Sequence, residues 1–556
     1  MAPETVSRDP TANLTHASAG FDRRDVGLAI LCGALALWSY RWALGSYFSP
    51  DDLILLERAR GLAATPDTWW RVLSGRLYFS LVVPVFGSNA VAYLTINWLL
   101  HAVNAGLLYA FARRAGGGML AASIAAAMFA SSRLFLSVVG QVVGIGDLLA
   151  LAFVLMAAIT LTTEVRFRPV IAALLFGFAV LSKESVILIP IALLFLPPIG
   201  RDLQFRLARI APLLAVAVSW ALYLAASGVS ATMLGGPAYE ARFGLQIVRS
   251  LGTYATWIAN FTDPAPDFTR PASNARLFVG AAGLLAATIL IGLVRRRIPL
   301  ALFGLAWFMF ALLPVLPLVH QHNLHYLYGP FAGIAIAAGA TFAATMRSLK
   351  AGRVAIAWGL AALLIVGHAG VSDSLMRERI RDELEDENVP YDPFVRKIEL
   401  IRRMSRRVDE LAHESRGRLV VVVPRIDDRL AELFRGLLPG VVDQGRGLRA
   451  LHPGLDSIAF VDRWTPAYRD FELVAGSVDG MIVGFGSGPD AHLRFAGVLV
   501  ENEFVAEALQ HLGDAIPAYP DDPRLALAER TLRARIASTA QPMPQSSSRP
   551  SSPPIR

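Results

Sequence analysis

The sequence predicts an all-α polytopic membrane bundle followed by a small C-terminal α/β domain. Three observations carry that prediction. Of 556 residues, 54% are hydrophobic and only 17% charged, whereas a soluble globular domain holds roughly 25% charged residues. Apolar runs of about 20 residues recur from Val26 to Gly370, each long enough to cross a hydrocarbon core of ~30 Å. Beyond Ser372 the chain turns to charge-dense helix and short β-branched runs, the pattern of a water-exposed module.

Spans are read at 26–47, 90–112, 118–138, 145–162, 169–181, 186–198, 209–227, 276–294, 298–318, 326–346 and 354–371, about 11 in all. Basic clusters punctuate them: Arg23/Arg24, Arg113/Arg114, Arg166/Arg168, Arg201/Arg206/Arg209, Arg295/Arg296/Arg297 and Arg347/Lys350/Arg353. With this span count all six fall on one side, which the positive-inside rule makes cytoplasmic. The agreement requires a break at Ser182-Lys183-Glu184. The two segments it creates are too short to cross a full bilayer, so they read as a re-entrant pair turning within protein. The net charge of +8 and pI ≈ 9.8 belong to this orientation pattern and do not indicate nucleic acid. Cys32, the single cysteine, excludes an intrachain disulfide. Met1 to Phe21 lacks the basic-then-apolar order of a cleavable signal, so the first span is expected to stay as an anchor.

Four regions follow: a cytoplasmic tail (1–25), a membrane domain (26–371), an extracytoplasmic α/β domain with a helical end (372–540) and a Pro/Ser-rich disordered tail (541–556). The third region opens with a helix from Arg377 to His413. Strands are expected at Arg418–Val423 and Gly480–Gly484, with an amphipathic helix at Asp428–Leu438 between them. Glu503 to Ala537 reads as helical, interrupted at Tyr519-Pro520-Asp521-Asp522-Pro523 like the turn of a tetratricopeptide repeat.

The polar candidates converge on the outer face: the loop 48–89, the turn 131–144, Lys183-Glu184, the loop 228–275 and His320–His325. Asp51 and Asp52 repel each other where the first span ends, which suits binding or proton transfer. The plainer alternative is capping of a helix near Leu53, for which one aspartate suffices. Coupled carboxylates split their pKa values, so one can remain a base while its neighbour positions substrate. Trp69 and Trp70 suit the headgroup region, and the loop carrying them also holds Arg71 and Arg76.

Asn97, His101 and Asn104 share one helix face, for contacts to substrate or for hydrogen bonds between helices. Asp147 is an intramembrane carboxylate, a functional-site hypothesis by default, with Arg133 or Lys183 as partner. Lys183-Glu184 reads as a local ion pair or as a hold on a lipid phosphate. His320, His322 and His325 lie in or beside a loop without an evident fourth ligand, which disfavours a metal. His325-Tyr326-Leu327-Tyr328 also suits an aromatic belt, and Asn260-Phe261-Thr262 matches a glycosylation sequon.

The ordered series resembles the multi-span GT-C glycosyltransferases, and most of all the protein O-mannosyltransferase-like branch whose eukaryotic members carry tetratricopeptide repeats. Over residues 26–346 the matching features are Ser49-Pro50-Asp51-Asp52, Gly75-Arg76-Leu77, Asn97-Trp98-Leu99-Leu100-His101-Ala102-Val103-Asn104, Val143 to Ala150, Leu181-Ser182-Lys183-Glu184 and His325 to Pro330. Two positions depart from the pattern: Ile145 and Leu324-His325 stand where those relatives carry arginine-containing motifs. The resemblance implies a sugar donor on a polyprenyl phosphate, a protein or glycan acceptor, and inverting transfer outside the plasma (inner) membrane. It implies Asp51 as general base and Asp52 as its positioning neighbour, with Arg76 and Lys183 on the donor phosphate. His101, Asn104, Asp147, Glu184, His325 and Tyr326 would then line the substrate. A divalent cation is allowed but not required. The competing expectation is a multi-span transporter of a lipid-linked or small polar substrate, since polar groups within spans also line substrate paths.

Overall fold

The computed structural model describes residues 21–199, 202–229, 239–260, 263, 299–347, 354–383, 390–414, 417–422, 441–476 and 482–539. It is predominantly helical, and its contacts divide the chain into two compact units, Met1–Ile398 and Glu399–Arg556.

The first unit is a helical membrane bundle. In chain order it contains α1 (Arg23–Ser39), a 3₁₀ turn (Arg41–Gly45), α2 (Pro50–Ala59), a π-helical turn (Val72–Leu77), α3 (Tyr78–Phe86), α4 (Ala90–Arg114) and α5 (Met119–Ala130). It continues with α6 (Leu136–Val139), α7 (Ile145–Leu161), α8 (Arg168–Ser182), α9 (Ile189–Leu193), α10 (Leu203–Ala226), α11 (Leu245–Ala259), α12 (Pro299–Leu312), α13 (Tyr328–Arg347) and α14 (Val354–Arg381). Among the described residues, five segments are long and apolar enough to cross a membrane: Ala90–Arg114, Val142–Leu161, Leu203–Ala226, Leu324–Met346 and Val354–Arg381. The pair α5/α6 makes a sixth, bent by 43°. The expected first span is the 17-residue α1 with its 3₁₀ extension. The chain breaks at Lys183 as expected, leaving Arg168–Ser182 and Glu184–Leu193 as short apolar helices. The expected span at 276–294 lies outside the described residues.

Burial separates centre from rim. α7 and α13 are mostly enclosed, whereas α10 and α14 point Leu222, Leu363 and Val366 outward, which is favourable where the neighbour is lipid. Small residues set the closest approaches inside. A Cβ on Gly304 would lie 2.5 Å from the Gly333 carbonyl oxygen, and one on Gly333 only 2.3 Å from that of Gly304.

Contacts between α1 and α4 join the Arg23/Arg24 and Arg113/Arg114 clusters at one end of the bundle. There Arg113 Nε donates to Asp25 at 2.7 Å and Tyr109 donates to the same carboxylate at 2.8 Å. The start of α12 reaches this end too, with Leu300 against Gly117. At the opposite end gather the end of α1, the N-termini of α2 and α7, and the turn after α8.

The second unit is a small α/β domain. β1 (Arg418–Val422), β2 (Ser457–Val461), β3 (Glu472–Gly476) and β4 (Ile482–Gly486) form a sheet in the order β2-β1-β3-β4. β1 runs parallel to both neighbours, while β4 is antiparallel to β3. β2 and β3 were not expected from sequence, because each is a five-residue run without strict alternation. The helix expected from Arg377 to His413 is two helices, α14 ending at Arg381 and α15 (Pro393–Glu414). Pro390 and Pro393 account for the interruption, and Asp392 accepts from the Phe394 and Val395 amides to start the second helix. The expected helix at Asp428–Leu438 and the tail 541–556 lie outside the described residues. After α16 (Arg446–Leu451), helix α17 (Pro489–Glu501) packs on β3 and β4, and α18 (Val505–Ala515) and α19 (Pro523–Thr539) pack on α17, with the expected break at Tyr519–Pro523. Their core includes Trp464, Leu473, Phe485, Phe495 and Leu512.

Candidate functional site

The site is built where three chain breaks meet. The Gly144-Ile145-Gly146-Asp147 segment starts α7, and its first turn holds Asp147 near the positive end of the helix dipole. Gly146 permits close contact there, since a Cβ would lie 3.2 Å from Ser74 Oγ and 3.3 Å from the Ser182 carbonyl oxygen. α8 stops at Ser182 because Lys183 adopts extended backbone (φ −157°, ψ 129°). That turn brings Lys183 Nζ to 2.6 Å from Asp147 Oδ2. The next residue, Glu184, accepts two hydrogen bonds from Arg71, from Nε at 2.9 Å and from Nη2 at 2.5 Å.

Arg71 was passed over in favour of Arg76 at the sequence level, and the structure brings Arg71 into the cluster. Its φ of 50° is left-handed, a conformation uncommon for a side-chain-bearing residue. The guanidinium also sits 4.4 Å from the centre of the Trp70 ring, and Ser74 on the same π-helical turn donates to the Ser182 carbonyl at 2.7 Å. Arg76 points elsewhere: it is half exposed and only 3.8 Å from the fully exposed Asp67. The Gly75-Arg76-Leu77 motif points to Arg76, whereas the backbone turn brings Arg71 to Glu184.

Four alternating charges thus form two ion pairs of unequal access. The Lys183 and Asp147 side chains are 9% and 10% exposed, those of Arg71 and Glu184 32% and 23%. A buried pair holds only when each charge keeps its partner. The more open Arg71–Glu184 pair is therefore the one able to exchange partners with an incoming anion.

Asp51 and Asp52 part company. Ser49 caps α2 and Asp52 completes a capping box, accepting from the Ser49 amide at 2.7 Å. The same carboxylate accepts from the Val142 and Val143 amides at 3.3 and 2.6 Å. Asp52 therefore pins α2 to the segment that begins α7. Burial pushes its carboxyl up to about 7, against the opposing pull of these N–H donors. Asp51, at the second position of α2, faces outward and exposed. The capping alternative thus accounts for Asp52 and leaves Asp51 available.

His101 and Asn104 serve packing. His101 Nδ1 lies 3.0 Å from Tyr328 Oη and Nε2 3.2 Å from the Ala130 carbonyl; Asn104 donates to the Leu148 carbonyl at 2.9 Å and to Tyr328 Oη at 3.1 Å. These bonds join α4 to α5, α7 and α13. The His325 and Tyr326 rings lie 4.1 Å apart, tilted by 52°, and both lie within electrostatic reach of Arg71. The three loop histidines have separate surroundings: His320 is 3.5 Å from Glu240 and His322 is 3.0 Å from Ser250 Oγ. Among the described residues no cluster of three His, Cys, Asp or Glu side chains suits a metal ion. Ile145, in an arginine position of the resembled family, is buried beside the cluster.

The second unit holds its own relay, Ser405 Oγ at 2.8 Å from His452 Nε2 and His452 Nδ1 at 2.5 Å from Asp409. Ser405 lies buried inside α15, where backbone N–H groups are committed to the helix. These contacts tie α15 to the residue after α16.

No family model matches this chain, and no curated protein is similar to it at a significant level.

Proposed function

We propose that this protein is an integral membrane glycosyltransferase that moves a sugar from a polyprenyl-phosphate donor to an acceptor hydroxyl, with inversion. One observation carries the reading: Arg71, Lys183, Glu184 and Asp147 form a charge cluster at the end of the bundle where Asp51 is exposed. The Asp51 carboxylate takes the acceptor hydroxyl proton. The oxygen then attacks the anomeric carbon as the bond from that carbon to the phosphate oxygen breaks. The electron pair leaves with polyprenyl phosphate. Arg71 exchanges its Glu184 contact for the phosphate, and the exposed Arg76 adds a second, looser contact. Lys183 supports the developing charge from behind. Asp147 keeps Lys183 in place, and Glu184, His325 and Tyr326 line the sugar side.

This reading puts the site outside the plasma (inner) membrane, with the second unit on the same side, handling a protein or glycan acceptor. A transfer assay with a polyprenyl-phosphate sugar tests it. Wild type should transfer and Asp51→Asn should not; equal transfer by both removes Asp51 as the base. The rival transporter reading draws support from two interrupted segments, the bent α5/α6 pair and the break at Lys183, because transporter sites often form at broken helices. Substrate-driven uptake into vesicles without glycosyl transfer decides for it.

A further inference from the structure

A second basic site occupies another part of the bundle. Asp373, Arg377 and Arg381 stand at i, i+4 and i+8 on α14, so they form one stripe. Asp373 is only 4% exposed and is shared by two guanidiniums, Arg41 at 2.9 Å and Arg377 at 2.9 Å. Arg41, Trp42, Arg377, Ile380 and Arg381 line a cavity of ≈ 290 Å³. Three of the residues lining the cavity are arginines and none is a carboxylate, and among the described residues Asp373 is the carboxylate that pairs with two of them. The Trp42 indole N–H is buried and has no hydrogen-bond partner among the described residues.

The location sharpens the question. α1 starts at Arg23/Arg24, so Arg41 lies at the opposite end, the end where basic residues have no orienting duty. The apolar stretch of α14 ends just before this stripe, with Val366 and Val371 facing outward. A guanidinium cluster with an indole and an isoleucine, set where a lipid-facing helix leaves the bilayer, fits a phosphate whose ester chains remain in lipid.

We propose that this cavity binds the phosphate of an anionic phospholipid headgroup. Arg377 and Arg381 hold the phosphate oxygens, the Trp42 N–H supplies a neutral donor, and Asp373 fixes the arginines. The site involves none of the residues assigned to glycosyl transfer, so it stands or falls separately.

Native mass spectrometry of the full-length protein tests it, after reconstitution in phosphatidylcholine with or without phosphatidylglycerol. Wild type should retain one phosphatidylglycerol. Arg381→Gln, which leaves the Arg41–Asp373–Arg377 contacts intact, should lower that retention roughly five-fold, and Arg377→Gln/Arg381→Gln further. Asp373→Asn, if folded, should raise it, because it removes the carboxylate that Arg41 and Arg377 share. Arg533→Gln, in the second unit, should leave it unchanged. Displacement of the lipid by millimolar glycerol 3-phosphate or inorganic phosphate would assign the site to a soluble phosphate instead. Equal retention by wild type and Arg381→Gln overturns the proposal.

Discussion

The two ends of the membrane bundle solve the same problem differently. At the Arg23 end, Asp25 is satisfied by Tyr109 and Arg113 where α1 and α4 run uninterrupted. Its polar groups join helices. At the other end the helices break, at Ser131–Arg133, at Gly144 and at Lys183. Each break frees backbone groups and admits charge: Asp52 takes the Val142 and Val143 amides, and Lys183 and Glu184 turn toward Asp147 and Arg71. A buried charge at the first end holds two helices together. At the second end buried charges hold together the chain breaks themselves.

The largest expected difference between the ends is catalytic. Asp51→Asn should lower transfer by about 10²–10⁴-fold with an unchanged thermal midpoint, because Asp51 is exposed. Asp25→Asn should reverse that pattern, lowering the midpoint and sparing turnover per folded molecule. Both quantities can be read from one purified preparation, and a matching loss of turnover in both variants would erase the distinction.

Next comes the closed ion pair. Lys183→Met strands Asp147 and should cost about 3–5 kcal/mol, measured by reversible unfolding in detergent. Lys183→Met/Asp147→Leu should recover most of that loss without restoring transfer. A double variant no more stable than the single one would show that the pair is not the stabilising unit.

A pH response belongs to the broken end as well. The Asp52 carboxyl rises from an ordinary 3.8 to about 7 on folding, burial being the main cause. Its contribution to stability is therefore full below the unfolded value and is lost as pH rises through about 7. Wild-type stability should fall over that window with a slope of at most about 1.4 kcal/mol per pH unit. Asp52→Asn should flatten the slope, and an unchanged slope in that variant would move its origin to another group.

The smallest effects concern backbone clearance. Gly146→Ala must push against Ser74 and the Ser182 carbonyl and should cost about 1–3 kcal/mol. Gly177→Ala, inside α8 with nothing within 4 Å of the added methyl, should be neutral or stabilise by about 0.5–1 kcal/mol. Comparable destabilisation by both would mean that the broken end is no tighter than the regular helix.

Helices, their approximate limits and the break at Ser182-Lys183-Glu184 were legible in the sequence, because hydropathy and charge spacing are local properties that lipid enforces along the chain. So was the meeting of the segments around Asp52, Asp147 and Lys183 at one end, since alternate crossings return the chain to the same end of a bundle. Three things required the folded chain. Asp51 and Asp52 are adjacent in sequence, yet only helix capping and the Val143 amide separate a buried carboxylate from an exposed one. Arg71 and Arg76 are alike in composition, and a left-handed residue before a π-helical turn decides which one reaches Glu184. His101 and Asn104 share a helix face in either reading, but only packing reveals Tyr328 as their common partner. Pattern along a chain records which side of a helix faces lipid; which polar groups satisfy one another depends on distances between segments far apart in sequence, and those exist only once the chain has folded.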